Sequence, residues 1–264
     1  MTRLAALPAV LRAARLALPL ALAALAAVLA PGAATAQSGG QSTVFEPEER
    51  AAVEEIVRQY ILDNPEIIVE AIEILQSREQ EMAADRQRQT IEERGEEIFA
   101  STSSPVIGNP DGDVVLVEFF DYNCGYCKRM LEPMQRLVEE DSGLKIVLKE
   151  FPILAPSSDV AARAALASRE QGMYEAYHNA LMAHRGQLDE AAIFSIAEDL
   201  GLDVERLRAD MGAPAVTAEI DANLELARAL GVRGTPAFLI GDELIPGAVG
   251  YDGLKQAIEA ERGS

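Results

Sequence analysis

The run Val114-Val115-Leu116-Val117-Glu118-Phe119-Phe120 constrains this chain more than any other stretch. A strand with one wet face alternates apolar and polar side chains. This run does not, so it belongs inside a sheet covered on both faces. Helical patterning follows from about Gly125 to Glu140, and Leu144–Phe151 reads as a second strand ended by Pro152 and Pro156. Strand, helix and strand over about 40 residues make a βαβ unit with a right-handed crossover. From Asp159 to about Leu230 the pattern is only helical, broken at Gly172, Gly186, Gly201 and Pro214. Pro236–Ile240 and Glu243–Ile245 read as short strands around a Gly241-Asp242 turn, and Tyr251–Glu261 as a last amphipathic helix. The fold class is α/β.

The N-terminus is of another kind. Met1–Ala36 holds Arg3, Arg12 and Arg15, no acid, an alanine–leucine run from Leu16 to Ala30, and the small-x-small ending Ala34-Thr35-Ala36. These are the marks of a secretory signal peptide. A retained anchor is the alternative, but the run is about 15 residues where a spanning helix needs roughly 20. Cleavage after Ala36 leaves 228 residues with 20 Lys and Arg against 43 Asp and Glu. That charge argues against nucleic acid or an anionic membrane surface as partner. A soluble, exported protein is expected.

Gln37–Thr43 is a polar tail, and Phe45 to about Phe99 reads as helical. Val53, Ile56, Val57, Tyr60 and Ile61 share one helical face. Asp63-Asn64-Pro65 gives a stop and restart, with Asn64 able to cap and Pro65 at the first helical position. Ile67, Ile68, Ala71, Ile72 and Leu75 continue an apolar stripe, which thins among charges from Gln76 to Glu97. Two short helices with one apolar face each are too small for a core of their own. They are either a decoration packed on the main domain or an oligomerisation arm; the charged stretch, acting as a tether, favours the arm. The Ser/Pro/Gly run Ser101–Pro110 marks the boundary. The expected organisation is a signal peptide at 1–36, arm and linker at 37–104, and the main domain at 105–264.

Cys124 and Cys127 are the only cysteines. A bridge between residues three apart constrains almost no chain entropy, so the pair is not a structural staple. Placed at the start of a helix just after a buried strand, it can open and close a disulfide within one turn. The first thiol sits where unpaired backbone N–H groups and the helix dipole stabilise a thiolate, which makes Cys124 the exposed nucleophile. Cys127, more buried, resolves the mixed disulfide by attacking Cys124. A structural zinc site would need four ligands. There is no second such cysteine pair, and the only histidines, His178 and His184, lie in the helical region as surface or packing residues. A thiolate pair could still hold a soft ion, but no metal or cofactor is expected. Glu118, inside an apolar strand, is either an outward-facing edge residue or a buried acid that is costly unless paired or protonated. Met130, Met134 and Met173 could line a peptide groove, though methionine at helical spacing is more often core.

Phe119-Phe120-Asp121-Tyr122-Asn123-Cys124-Gly125-Tyr126-Cys127-Lys128, then Lys149-Glu150-Phe151-Pro152-Ile153-Leu154 and Gly234-Thr235-Pro236-Ala237-Phe238, resemble the DsbA-like periplasmic thiol–disulfide oxidoreductases. The N-terminal helices with Asp63-Asn64-Pro65-Glu66 look more narrowly like the ScsC branch. The resemblance implies a thioredoxin fold with an inserted helical domain at about 157–230, preceded by an N-terminal α-helical arm. It implies a cis Thr235–Pro236 bond facing the disulfide; the residues alone allow an ordinary trans bond equally well. It also implies that Glu118 shuttles the proton when Cys127 attacks; Lys149, by its own position at the end of the next strand, is a candidate charge partner. The uncharged Gly125-Tyr126, Thr235 before the proline and an N-terminal oligomerisation domain together resemble the isomerases. The expected activity is therefore periplasmic disulfide isomerase or reductase, with a DsbA-type dithiol oxidase as alternative. A copper-tolerance or holdase protein is the alternative of another class. The partners expected are exported cysteine-containing proteins, a membrane-bound redox partner and further copies of the chain, a trimer by resemblance.

Overall fold

The seven residues Val114–Phe120 form β2, the central strand of a five-stranded sheet. A computed structural model describes residues 46–186 and 188–263; the expected signal peptide and the tail Gln37–Thr43 lie outside the described residues. The strand order is β1 (Val106–Gly108), β3 (Leu144–Glu150), β2, β4 (Ala237–Ile240) and β5 (Glu243–Pro246). Only β2 and β3 pair in parallel, joined by α3 (Gly125–Glu140), which gives the expected βαβ unit. β1 was not legible in the sequence: three residues within a Ser/Pro run carry no period, and their strand geometry comes from antiparallel pairing with β3.

The pleat divides the sheet's side chains between two cores. Leu116 and Phe120 of β2, Ile146 and Leu148 of β3 and Phe238 of β4 face one side, where α3 and α9 (Gly250–Arg262) cover them. Val117, Phe119, Val147 and Leu239 face the other.

The inserted helices are α4 (Pro156–Ala167), α5 (Tyr174–Ala183), α6 (Glu190–Asp199), α7 (Val204–Asp210) and α8 (Pro214–Ala229). Their breaks fall where the sequence places them. Gly172 (φ +69°) and Gly201 (φ +80°) take the left-handed conformation that other residues avoid, and Pro214 opens α8. α4 buries Ala161, Ala162, Ala164, Ala165 and Ala167. Small side chains let α5, α6 and α8 approach one helix closely, which is how a chain without tryptophan fills this core.

The chain divides into two compact units, one ending at Asn64 and one beginning at Pro65. The first contains α1 (Pro47–Asp63), which buries none of its residues and leaves Val53, Ile56, Val57 and Tyr60 exposed. Asn64 closes α1 instead of opening the next helix: its side-chain Nδ2 donates to the Tyr60 carbonyl at 2.9 Å. The second unit starts with α2 (Glu66–Phe99), helical through the charged stretch except for Arg94 (φ −117°, ψ 18°). That stretch is not a free tether over its whole length. Gln87 Nε2 donates to the Asp242 carbonyl at 3.1 Å, Thr90 Oγ1 lies 3.4 Å from the Ala229 carbonyl, and Ile98 is fully buried beside Phe119 and Leu226. Local charge density hid this docking, which rests on Ile98 with Ile91 and Phe99 packed on the same core. Among the described residues, no helix is long and apolar enough to cross a membrane.

The alanine seam is testable. Ala164→Leu adds volume where nothing can move apart, and should destabilise the second unit by about 1–3 kcal/mol in urea titrations. Exposed Ala83→Leu on α2 should stay within about 0.5 kcal/mol of the parent.

Candidate active site

The active-site turn hangs from the end of β2 by one side chain. Asp121, buried, accepts through Oδ1 from the Asn123 amide and the Ser158 hydroxyl, each at 2.7 Å. Its Oδ2 accepts from the amides of Ile153 and Leu154 at 2.8 and 2.9 Å. The carboxylate thus ties the turn to the segment leaving β3 and to the first turn of α4. Tyr126, Ile153 and Leu154 border the turn as exposed apolar side chains, and the Arg129 guanidinium lies 4.0 Å from the Tyr126 ring centroid.

Cys124 is the N-cap of α3. Its Sγ accepts from the Cys127 amide at 3.4 Å and donates to the Thr235 carbonyl at 3.2 Å. Both cysteines are free thiols. Cys124 is less open than the sequence suggested, 5% exposed against 2% for Cys127, because the loop before β4 lies over it. The Thr235–Pro236 bond is cis. Thr235 Oγ1 is buried without a hydrogen-bond partner among the described residues. Burial pushes the Cys127 thiol well above the ordinary range, and the Glu118 carboxyl and Cys124 add to the effect.

Glu118 is buried, 4% exposed, in the middle of the sheet opposite Leu148 and Phe238, so the edge-strand alternative falls. Burial alone pushes its carboxyl up to about 8. Lys149 is not its charge partner. It pairs in register with Phe119, so it points through the other face of the sheet. There its Nζ donates to the Glu97 carbonyl at 2.9 Å and to Ser104 Oγ at 2.7 Å. Sequence spacing brings the two residues near in the sheet; strand parity separates them.

Met130 and Met134 are core residues, and Met173 is partly buried against the same core. His178 is buried, its Nδ1 3.0 Å from the Tyr122 hydroxyl, and burial lowers it to about 3. His184 offers its carbonyl to Lys128 Nζ at 2.7 Å. Among the described residues no group of three or more His, Cys, Asp and Glu side chains could hold a metal ion. Sequence reasoning passed over Asp121, although an acid directly after an apolar strand and before a tight turn is a recognisable bracket. It also passed over Glu150 and Tyr174, which carry no local signal.

A free dithiol capping a helix, a cis proline opposite it and a buried acid beneath it make a thiol-exchange geometry. Residues 115–259 match the model of the DSBA-like thioredoxin domain, more than half of the chain. The chain belongs to the DSBA-like thioredoxin family. Residues 49–81 match the model of the copper resistance protein ScsC N-terminal domain. Among solved structures, the family fold is shared with a thioredoxin-like oxidoreductase from Silicibacter pomeroyi DSS-3, 48% identical, over 64% of this chain and 98% of that one, at a TM-score of 0.63. Proteus mirabilis ScsC in a transitional conformation is 31% identical over 83% of this chain and 99% of that one, at a TM-score of 0.62. A region of the Na(+)/H(+) antiporter NhaA 1 of Salinispora arenicola is 29% identical over 155 residues, or 58% of this chain and 24% of the antiporter. The chain thus spans about a quarter of the length of the first curated relatives it matches.

Two outcomes test this site. Above pH 4.5 the unfolded chain has released the Glu118 proton, while the folded chain keeps it until about pH 8. Stability should therefore fall as pH rises through that window. Glu118→Gln removes the effect, and its melting temperature should pull ahead of the parent's from pH 4.5 upward. The corresponding difference in unfolding free energy should reach roughly 4 kcal/mol by pH 8; parallel curves would mean that the carboxyl ionises as easily folded as unfolded. At neutral pH, iodoacetamide should label Cys124 before Cys127, read by peptide mass mapping; preferential labelling of Cys127 would reverse the assignment.

Proposed function

We propose that the chain catalyses thiol–disulfide exchange on exported, cysteine-containing proteins in the periplasm, chiefly as a disulfide isomerase or reductase. The observation that carries the reading is the placement of Cys124 Sγ, at the head of α3 and against the Thr235 carbonyl, with Cys127 and Glu118 buried behind it. The Cys124 thiolate attacks a substrate disulfide, one new S–S bond forms, and the displaced substrate sulfur leaves with the electron pair and takes up a proton. Rearrangement follows when that thiol attacks elsewhere in the substrate and finally frees Cys124. Where it does not, Cys127 attacks Cys124, the substrate's second sulfur leaves, and the Cys127 proton passes to Glu118 in its ionised, carboxylate form. The oxidised pair is then returned to the dithiol by a membrane-bound redox partner.

Isomerisation is favoured over oxidation by the neutral Gly125-Tyr126, which adds no cation to hold a thiolate, and by Thr235 before the cis proline. The unpartnered apolar side chains of α1 and of the start of α2, among them Ile56, Tyr60, Ile68 and Leu75, support self-association, a trimer by the family resemblance. The match of residues 49–81 to a copper resistance model supports a second reading, Cu(I) held by the thiolate pair.

Refolding of a scrambled multi-disulfide ribonuclease by the reduced protein tests the first reading. Recovery supports isomerisation; activity confined to reduced substrate means an oxidase. Binding of one Cu(I) that disappears in Cys124→Ser would favour the second. The arm has its own test. The Glu97 carbonyl and Ile98 belong to the core, so truncation should remove residues upstream of Gln87, not all of α2. That protein should be a folded monomer by light scattering that reduces disulfides but isomerises poorly. A full-length monomer, or a truncated protein that isomerises equally well, would take the arm out of the mechanism.

A further inference from the structure

Behind the dithiol lies a small cavity that the reaction as written does not use. Glu118, Cys127 and His178 line it together with Met130, Met134 and Met182, and it has about 20 Å³ of room for the centre of a water molecule. One water needs roughly 10–15 Å³ on this measure and two to four polar partners. Gln135 and Asn179 reach the same lining and thioether and carbon complete it, so the cavity has room for about one water and polar groups to hold it.

His178 is set for one role there by hydrogen-bond counting. Glu150 Oε1 receives the hydroxyls of both Tyr122 and Tyr174 at 2.9 Å. A phenol has one proton to give. With that of Tyr122 spent on Glu150, the 3.0 Å contact between Tyr122 and His178 is filled by Nδ1–H of the histidine donating to the phenol oxygen. The ring stacks on Tyr174, with centroids 5.8 Å apart, and meets Phe120 edge-on at 5.0 Å, so its orientation is fixed. Burial keeps the imidazole neutral, its value lowered to about 3. Nε2 is then an unprotonated acceptor, and it is the polar atom His178 has left for the cavity.

We propose that the cavity holds one structural water that accepts from the Cys127 thiol and donates to His178 Nε2 and Glu118, making His178 a positioning residue for the resolving step. The inference rests on the thiol-exchange reading of this site. When Cys127 attacks, its sulfur bonds to Cys124, the Cys124–substrate bond breaks, and the electron pair leaves on the substrate sulfur. The thiol proton moves to the water, and a water proton moves to the Glu118 carboxylate. His178 takes no proton; its lone pair holds the water so that the remaining hydrogen points at Glu118. The titratable groups facing this water are Glu118 from β2 and Cys127 from α3, with Cys124 beside it, and His178 from α5. Tyr122, Glu150 and Tyr174 lie behind the histidine, and Lys149 is on the far side of the sheet.

The full-length protein and the chromogenic disulfide 5,5′-dithiobis(2-nitrobenzoate) supply the test. Attack by Cys124 releases one thionitrobenzoate, and Cys127 releases the second by resolving the adduct. The second rate should rise with pH through the ionisation of Glu118. His178→Phe removes the acceptor, the water loses its anchor, and the carboxylate loses a donor. The midpoint of the pH profile should move up by about one unit, with resolution at neutral pH about tenfold slower. His178→Gln, which restores an acceptor, should bring the midpoint back toward the parent's. Tyr122→Phe keeps the ring but frees Nδ1, and it should shift the midpoint in the same direction; it decides the matter if His178→Phe does not fold. A uniform loss of rate with an unmoved midpoint, or no change, overturns the water-mediated role and leaves the exchange reading standing. No second equivalent from the parent protein would sink the exchange reading, and the role of His178 with it.

Discussion

The Asp121 carboxylate is the interaction on which the rest of this site depends. Four donors from three parts of the chain converge on it: the turn before Cys124, the segment after β3 and the first turn of α4. Charge-assisted bonds of this kind are stronger than neutral ones, and breaking them leaves a buried charge without partners. The bracket sets where α3 begins and hence where the Cys124 sulfur sits as its cap. Asn123 extends it, its side-chain amide reaching the hydroxyls of Ser157 and Ser158 at 3.1 and 3.0 Å. The thiol chemistry is thus aligned by a carboxylate that takes no part in it.

The helical insert does more than lengthen the chain. α5 delivers Tyr174 and His178 against the sheet, and Glu150 at the end of β3 gathers the hydroxyls of Tyr122 and Tyr174. Burial holds the Glu150 carboxyl well above the usual carboxylate range, an effect the two hydrogen bonds oppose. Such a network stays ordered only while its members remain paired. The insert therefore stiffens the floor under the dithiol, and the alanines of α4 are what let α5 come close enough to do so.

Much of this was legible in the sequence for identifiable reasons. The central strand announced itself by lacking alternation, α3 by its placement after that strand, and the insert's breaks by glycine and proline. Cys124, Cys127 and the Thr235–Pro236 pair stood out because their chemistry is carried by adjacent residues. What stayed hidden depends on registers and partners far away in sequence. β1 exists only through pairing with β3, and the docked end of α2 only through Ile98 and a few long-range hydrogen bonds. Glu118 and Lys149 looked like a pair because each sits late in a strand, and a single step of register put them on opposite faces. The role of Tyr122 and Glu150 needed α5 in place before it could be seen.

That separation makes the sheet an electrical partition. On one side the buried acid beside the dithiol has no cation to neutralise it among the described residues, and its proton stays available near neutral pH. On the other, the Lys149 ammonium is satisfied by the end of α2 and Ser104, with Glu219 next in line through its bond from the Ser104 hydroxyl at 2.6 Å. The two buried systems share a backbone and touch at one point, the charge of Glu219 adding to the upward push on Glu150. Changes that loosen or tighten the attachment of the end of α2 therefore act first on the Lys149 system. The contacts that anchor the end of α2 thus lie on the face of the sheet opposite the Glu118 carboxyl, where the helix can vary at a distance from the sulfur chemistry.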